Sequence, residues 1–314
     1  MTSDAVEGGE GHRKDDGQGT VHVPVLLGES LQALDLAAGL VVIDGTCGTL
    51  GHGRDIVSAI GPDGWYVGLD QDTEILARAR AVLGGTASVR GRVSLHSVVY
   101  SRMGEVLAEL DLASCDRVLL DIGLNSMQID TPERGFSFLM DGPLDMRMNR
   151  EHGQPLGKWL ARVTEAELAD VIYQYGEERH ARRIARAIVR ERGRGGLHRT
   201  LELAEVVRRA IPDRGRQRIH PATRTFQALR IAINDELGEL ERGLRAALKV
   251  LVPNGRLVVI TFHSLEDRIV KQFMKEHMEL PFKKPITPTP QECRDNPRAR
   301  SAKLRCGIKR EVAA

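Results

Sequence analysis

Three aspartates each close an apolar run: Asp44 ends "VVID", Asp70 ends "WYVGLD" and Asp121 ends "RVLLD". If those runs are parallel strands, the acids lie at the carboxyl ends, where open α/β sheets bind ligands. Asp44 opens onto Gly45, Gly48, Gly51 and Gly53. Such a loop lets backbone approach a ligand, because a Cβ would obstruct both the turn and the contact. Asp70 stands about 20 residues beyond the glycines, where an acid can bond a ribose diol. The pairing points to a nucleoside-bearing cofactor. A dinucleotide favours a G-x-G-x-x-G register with its pyrophosphate on a helix N-terminus. Here the register is G-x-x-G-x-x-G, an acid precedes it and no lysine lies in it. That suits a cation carrying an amino acid, which is S-adenosylmethionine. Asp44 could instead cap its turn, and Asp72 the following helix.

Strands and helices must alternate to place these groups. The patterning predicts strands at 41–43, 65–69, 92–96 and 117–121, with helices at about 53–60, 73–83 and 102–110 between them. That order implies an α/β fold with a parallel sheet covered on both faces. The pattern resumes with a helix near 225–250 and the strand "GRLVVITF" at 255–262. Residues 131–220 fit no further strand and are too long for a loop. They read as helices, "TEAELADVIYQYG" and then "EERHARRIARAIVRERG", with Ala181, Ile184, Ala185, Ile188 and Val189 at helical spacing. A helical domain over 131–220 is therefore expected inside a sheet domain made of 21–130 and 221–314. Residues 1–20 are polar and glycine-rich, with little to bury, and are expected to be a disordered tail. "HVPVLLGESLQAL" reads as a short extended arm leading into a helix.

Composition limits the alternatives. No apolar run approaches the roughly 20 residues of a membrane span, and the first residues lack a signal-peptide pattern, so the cytoplasm is the expected compartment. The cysteines, Cys47, Cys115, Cys293 and Cys306, are far apart, which signals neither a disulfide framework nor a zinc site; no metal is expected. The formal charge of +2 conceals arginines crowded between residues 179 and 224.

At "LLDIGLNSMQIDTPERGFSFLMDGPLDMRM" (119–148) the chain resembles the small-subunit ribosomal RNA methyltransferase H family, also called MraW. The likeness runs over about residues 22–310 and is carried further by "HVPVLL", "DGTCGTLGHG", "YGEERHARRIARAIV", "HPATRTFQALRIAINDEL", "GRLVVITFHSLEDRIVK" and "NPRARSAKLR". It implies a Rossmann-like class I methyltransferase sheet with an inserted helical domain, and N4-methylation of a cytidine in 16S ribosomal RNA. It also implies a cofactor site of Leu50, Gly51, His52, Asp70, Tyr100, Asp121 and Gln128, with Tyr100 aligned through a one-residue shift. Three departures stand out. The family loop usually reads Gly-Gly-His-Ser, against Leu50-Gly51-His52-Gly53 here; Ser-Ser-Pro-Gln becomes Asn125-Ser126-Met127-Gln128; and Cys47 replaces a bulkier apolar residue. Leu50 is expected to contribute backbone while its bulk alters the cofactor's pose.

A cytosine amine is a poor nucleophile and the sulfonium methyl is already activated, so positioning is the main task, worth about 7–11 kcal/mol when geometry is near attack. Asn125, with Ser126 beside it, is the expected contact to the amine, though Asn125 also suits a turn. His263 ends a strand at the same edge and could orient the base or relay a proton, yet "SLED" from Ser264 is itself a capping-box pattern. Glu266, Asp267 and Arg268 are expected to tie that helix to the substrate loop. Arg179, Arg182, Arg183, Arg186 and Arg190 lie opposite the apolar stripe of their helix, and are expected to contact RNA, continued by Arg192, Arg194, Arg199, Arg214, Arg216 and Arg218. Phe136 and Phe138 could stack on the base or pack the helical insertion. "RARSAKLR" is expected to add phosphate contacts or an edge strand. The expected partner is small-subunit ribosomal RNA or an immature small subunit. A DNA amino-methyltransferase, an RNA-binding assembly factor without turnover and a dinucleotide oxidoreductase are the rivals.

Overall fold

The computed structural model describes residues 24–84, 92–212 and 220–311, so the expected tail and Arg214, Arg216 and Arg218 lie outside the described residues. Helix α1 (Leu27–Leu34) leads into β1 (Val41–Asp44), α2 (Gly53–Ile60), β2 (Trp65–Leu69), α3 (Thr73–Gly84), β3 (Arg92–His96), α4 (Met103–Glu109) and β4 (Cys115–Asp121). These alternate as the patterning predicts. Then follow α5 (Ser126–Asp130), α6 (Leu156–Leu160), α7 (Glu165–Gly176), α8 (Ala181–Arg192), α9 (Thr200–Ala210) and α10 (Ala222–Asn234). The chain returns through α11 (Glu236–Val250), β5 (Leu251–Thr261), α12 (Ser264–His277), β6 (Met278–Glu279), α13 (Pro290–Asp295) and β7 (Lys303–Lys309).

The strands form one sheet in the order β3-β2-β1-β4-β5-β7-β6. It is not wholly parallel: β7 runs antiparallel to both β5 and β6. The order steps outward from β1 to β3 on one side and from β4 onward on the other, so the β1/β4 boundary is a topological switch point. Successive side chains point to opposite faces. Ile43, Val67, Val118, Leu120, Leu257 and Val259 pack beneath α4 and α11. Val42, Tyr66, Leu119, Val258 and Ile260 pack beneath α1, α2 and α3.

Four expectations are corrected. The helix near 225–250 is two helices, broken where Asp235 turns left-handed at φ 48°. The last long strand begins at Leu251, and its register against β4 shifts between Cys115 and Arg117, where Asn254 has φ 63°. "RARSAKLR" supplies a 3₁₀ turn and then β7, which is not an edge strand because β6 lies outside it. The core of the helical segment includes Ala222, Phe226 and Leu229, so α10 packs with the helices that precede it, beyond the expected boundary at residue 220.

That helical segment contains one isolated bridge, Pro143 to Arg199, and no strand among the described residues. Its helices form because their ends are capped and one face is apolar. Thr164 accepts from Glu167 N and Glu167 reciprocates, a capping box that starts α7. On α8 the residues Ala181, Ile184, Ala185 and Ile188 are buried while Arg182, Arg183, Arg186 and Arg190 are exposed.

Candidate active site

A cleft of about 140 Å³, open to solvent, lies over the carboxyl ends of β1, β2 and β4. Its walls come from four places. The loop after β1 supplies Gly45, Thr46 and Gly48, and the end of β2 supplies Asp70 and Gln71. The end of β4 and the start of α5 supply Asp121, Gly123, Asn125 and Gln128. The junction of α10 with α11 supplies Asn234, Glu236 and Glu239. Tyr100, Met148, Phe262 and Arg298 also line it.

Of the residues expected to hold a cofactor, Asp70, Tyr100, Asp121 and Gln128 line the cleft, whereas Leu50, Gly51 and His52 do not. The part of the glycine loop that faces it is Gly45 to Gly48. Gly48 has φ 53°, and a Cβ there would stand 2.9 Å from the Asn125 amide nitrogen, so only glycine leaves that wall open. Leu50 is 1% exposed and turned into the core beside α2, away from the cleft, so its bulk does not touch a ligand there. His52 bonds the Val25 carbonyl at 3.2 Å and stands behind Asp121, with Nδ1 3.8 Å from its carboxylate.

Each acid is fixed differently. Asp44 is turned away: its carboxylate accepts from Tyr66 Oη at 2.8 Å and Thr46 N at 3.2 Å, and burial pushes its pKa up to about 6. Asp70 accepts from Gly48 N at 3.1 Å and Asp72 N at 2.9 Å, and burial raises it to about 7. Burial pushes Asp121 up to about 8, with the charges of Asp44 and Glu266 adding to the effect. Its Oδ1 is buried with no hydrogen-bond partner, although the side chain as a whole is 24% exposed. Asp72 caps α3 through Glu74 N and Ile75 N, as its spacing allows.

The expected catalytic trio is not brought together at the cleft. Asn125 lines it, but its Oδ1 accepts from Met127 N at 3.0 Å as the N-cap of α5, in a box closed by Gln128. Ser126 and His263 are outside the lining. His263, not Ser264, is the N-cap of α12: its Nδ1 accepts from Glu266 N at 3.4 Å and its Nε2 lies 2.9 Å from Glu266 Oε1. Its helix start engages Nδ1, whereas Nε2 and Glu266 Oε1 face each other without a hydrogen bond, so the ring acts as a cap and lies outside the cleft lining. Asp267 pairs with Lys303 and Arg305 of β7, and Arg268 with Glu177 after α7, so neither ties α12 to the loop at Asn125. Phe136 is buried in the helical core, and Phe138 packs edge-on to Phe226 at 4.8 Å.

Ligand atoms of Glu236, His263 and Glu266 fall within 4.8 Å of one another, a spacing that could hold a metal. Arg230 already forks Glu236 at 2.7 and 2.8 Å, and Glu266 faces His263 while accepting from Phe262 N and His263 N. Arg230 thus matches the charge of Glu236, whereas Glu266 takes backbone donors on Oε2 and has no hydrogen-bond partner on Oε1.

Asn234, Glu236 and Glu239 escaped the sequence reading because an unbroken helix was expected over them. The break at Asp235 was their only local signal. On the helical face, Arg186 reaches Glu165 at 3.4 Å, Arg192 bonds the carbonyls of Leu160 and Val163, and Arg199 pairs with Asp141. Arg179, Arg182, Arg183 and Arg190 are exposed.

The model of the MraW methylase family matches residues 19–310. A ribosomal RNA small subunit methyltransferase H from Xanthomonas campestris is 47% identical over 306 residues, covering 92% of this chain and 87% of its own. One of the same name from Paramagnetospirillum magneticum is 46% identical over 315 residues, covering 93% and 97%. Among solved structures, an rRNA methylase from Streptococcus thermophilus aligns with a TM-score of 0.43 and 8% identity, covering 93% of this chain and all of its own.

Proposed function

The chain belongs to the MraW methylase family, and from that membership we propose that it transfers a methyl group from S-adenosylmethionine to the N4 amine of a cytidine in small-subunit (16S) ribosomal RNA. The observation that carries this reading is the charge of the cleft. Asp70 and Asp121 line it, as do Glu236 and Glu239, which are paired with Arg230 and Arg242, and the one arginine in the lining, Arg298, is itself paired with Asp130 at 2.9 Å. Such walls repel a pyrophosphate and suit a cation.

S-adenosylmethionine, when bound, supplies a methyl group already activated on sulfur. The chain's task is to hold the two partners. Asp70 is the acceptor for the ribose diol, Tyr100 flanks the adenine, and the Gly45 to Gly48 backbone supports the amino-acid end. Gln128 braces that wall from the start of α5. The Asp121 carboxylate accepts a hydrogen of the target amine, steering its lone pair, and then takes up the proton that the amine must lose. Asn125 keeps the amide nitrogen as a donor for the base, because its oxygen caps α5. Gly51 and His52 shape the loop from behind, as does Leu50; Ser126 and His263 shape the edges. The exposed arginines of α8 line the approach for RNA phosphates. The substrate is an immature small subunit or its RNA, in the cytoplasm.

Two measurements test this. Calorimetry should give heat with S-adenosylmethionine and none with a nicotinamide dinucleotide. Labelled methyl transfer to immature small subunits, mapped by mass spectrometry, should fall about 10²-fold or more in Asp121→Asn. Dinucleotide binding without sulfonium binding, or full turnover in Asp121→Asn, overturns the reading at the cofactor or at the acceptor respectively.

A further inference from the structure

Arg134 does not line the cleft, yet it holds three of the segments that do. Its Nη1 lies 2.7 Å from Asp72 Oδ2, and both side chains are 3% exposed. Its Nη2 donates to the carbonyls of Met148 at 2.8 Å and Arg147 at 3.0 Å. The same Asp72 oxygen accepts from Gln128 Nε2 at 2.8 Å, and Gln128 Oε1 accepts from Asn125 N at 3.0 Å. One guanidinium therefore joins the loop after β2, the start of α5 and the segment at 145–148. These carry the cleft residues Gln71, Asn125, Gln128 and Met148.

The third segment is held rather than intrinsically favoured. Met146 has φ 60°, a left-handed conformation costly for a side chain of its size. Asn234 clamps it from the other side, accepting from Met148 N and donating to the Met146 carbonyl, each at 2.8 Å.

We propose that Arg134 is a positioning residue for methyl transfer, holding the ribose-side loop, the Asn125 loop and the Met148 segment in mutual register. The proposal rests on the methyltransferase reading above. A buried ion pair is by itself weak evidence for stability, because desolvation offsets the attraction. What distinguishes this arginine is geometry: a planar fork of donors serves one carboxylate and two carbonyls at once, which a lysine ammonium on a single nitrogen cannot span.

The test uses the full chain with Arg134→Lys, and with Asp72→Asn, which keeps the oxygen that caps α3. Amide hydrogen exchange, calorimetric binding of S-adenosylmethionine and steady-state methyl transfer are measured together. Ile184→Val, a change in the helical core at a residue that does not line the cleft, is the control for lost stability alone. The expected result for both variants is faster exchange confined to residues 125–130 and 145–148. Alongside it, kcat should fall about tenfold or more with KM for RNA changed less than about threefold. If Arg134→Lys loses no more turnover than Ile184→Val, or if faster exchange spreads evenly through the helices, the arginine serves stability only and the proposal fails. Absent turnover in the unaltered chain would sink the methyltransferase reading, while the exchange pattern would still decide whether Arg134 couples the three segments.

Discussion

Leu50 occupies a backbone position at φ 67° that favours glycine. The strain costs roughly 1–2 kcal/mol, whereas removing a buried leucine side chain costs about 2–5 kcal/mol. Packing wins, so Leu50→Gly should destabilise the chain by about 1–3 kcal/mol in urea denaturation. Gly53 belongs to the same packing solution: a Cβ there would meet Tyr66 Oη at 2.5 Å and Leu50 Cδ2 at 3.0 Å, and Tyr66 is locked to Asp44. The raised acids make a second prediction at this scale. Carboxyls whose folded values exceed their unfolded ones stabilise most below about pH 4, and that contribution is lost as pH rises through about 6, 7 and 8 for Asp44, Asp70 and Asp121. The empty protein should therefore melt lower at pH 8.5 than at pH 5.5, other groups being equal. A cationic ligand prefers the ionised cleft. The ratio of dissociation constants for S-adenosylmethionine and its neutral thioether product should shift toward the sulfonium by about threefold to tenfold between pH 6 and pH 8. Asp121→Asn should remove the upper part of that rise, and a flat calorimetric ratio would contradict the assignment.

Helix α12 separates a structural histidine from a chemical one. His263 and Glu266 each satisfy the other's backbone N–H at the helix start, a reciprocal arrangement whose cap is worth about 0.5–2 kcal/mol. Asparagine is a good N-cap and has no imidazole. His263→Asn should keep most of both melting temperature and turnover, while His263→Ala should lose about 1 kcal/mol of stability. A large loss of kcat in a stably folded His263→Asn would restore the ring to the chemistry. The same element-level view explains the wall formed by Asn234, Glu236 and Glu239. Apolar spacing continued across Asp235, so the pattern predicts one helix. The left-handed turn at Asp235 instead places the end of one helix and the start of the next against the cleft.

For the molecule as a whole, the charge distribution divides the work. The charged groups lining the cleft are mainly acids, and exposed arginines stand on α8, so in the proposed function cofactor and nucleic acid meet surfaces of opposite sign. Each phosphate contact in single-stranded RNA contributes about 0.7 to the slope of log affinity against log salt. Arg183→Ala and Arg190→Ala should each reduce that slope by about this amount and weaken binding. Arg186→Ala should do less, because Glu165 already competes for that side chain. Equal slopes in all three variants, measured by fluorescence anisotropy, would place the RNA elsewhere.

Much of this was legible without coordinates. Period-two and period-3.6 patterning is local, so it located β1, β2, β4 and the helices of the insertion, and with them the acids at the strand ends. The glycine after Asp44 and the capping signals are local too, each written within a few residues of where it acts. Which atoms of those residues remain free is a different matter. That the loop presents Gly45 to Gly48 and hides Leu50, that the Asn125 oxygen is consumed by a cap while an Asp121 oxygen is not, and that Arg134 reaches Asp72 across the chain were decided only by tertiary structure. Side-chain direction and hydrogen-bond occupancy depend on partners distant in sequence, and no local pattern encodes them.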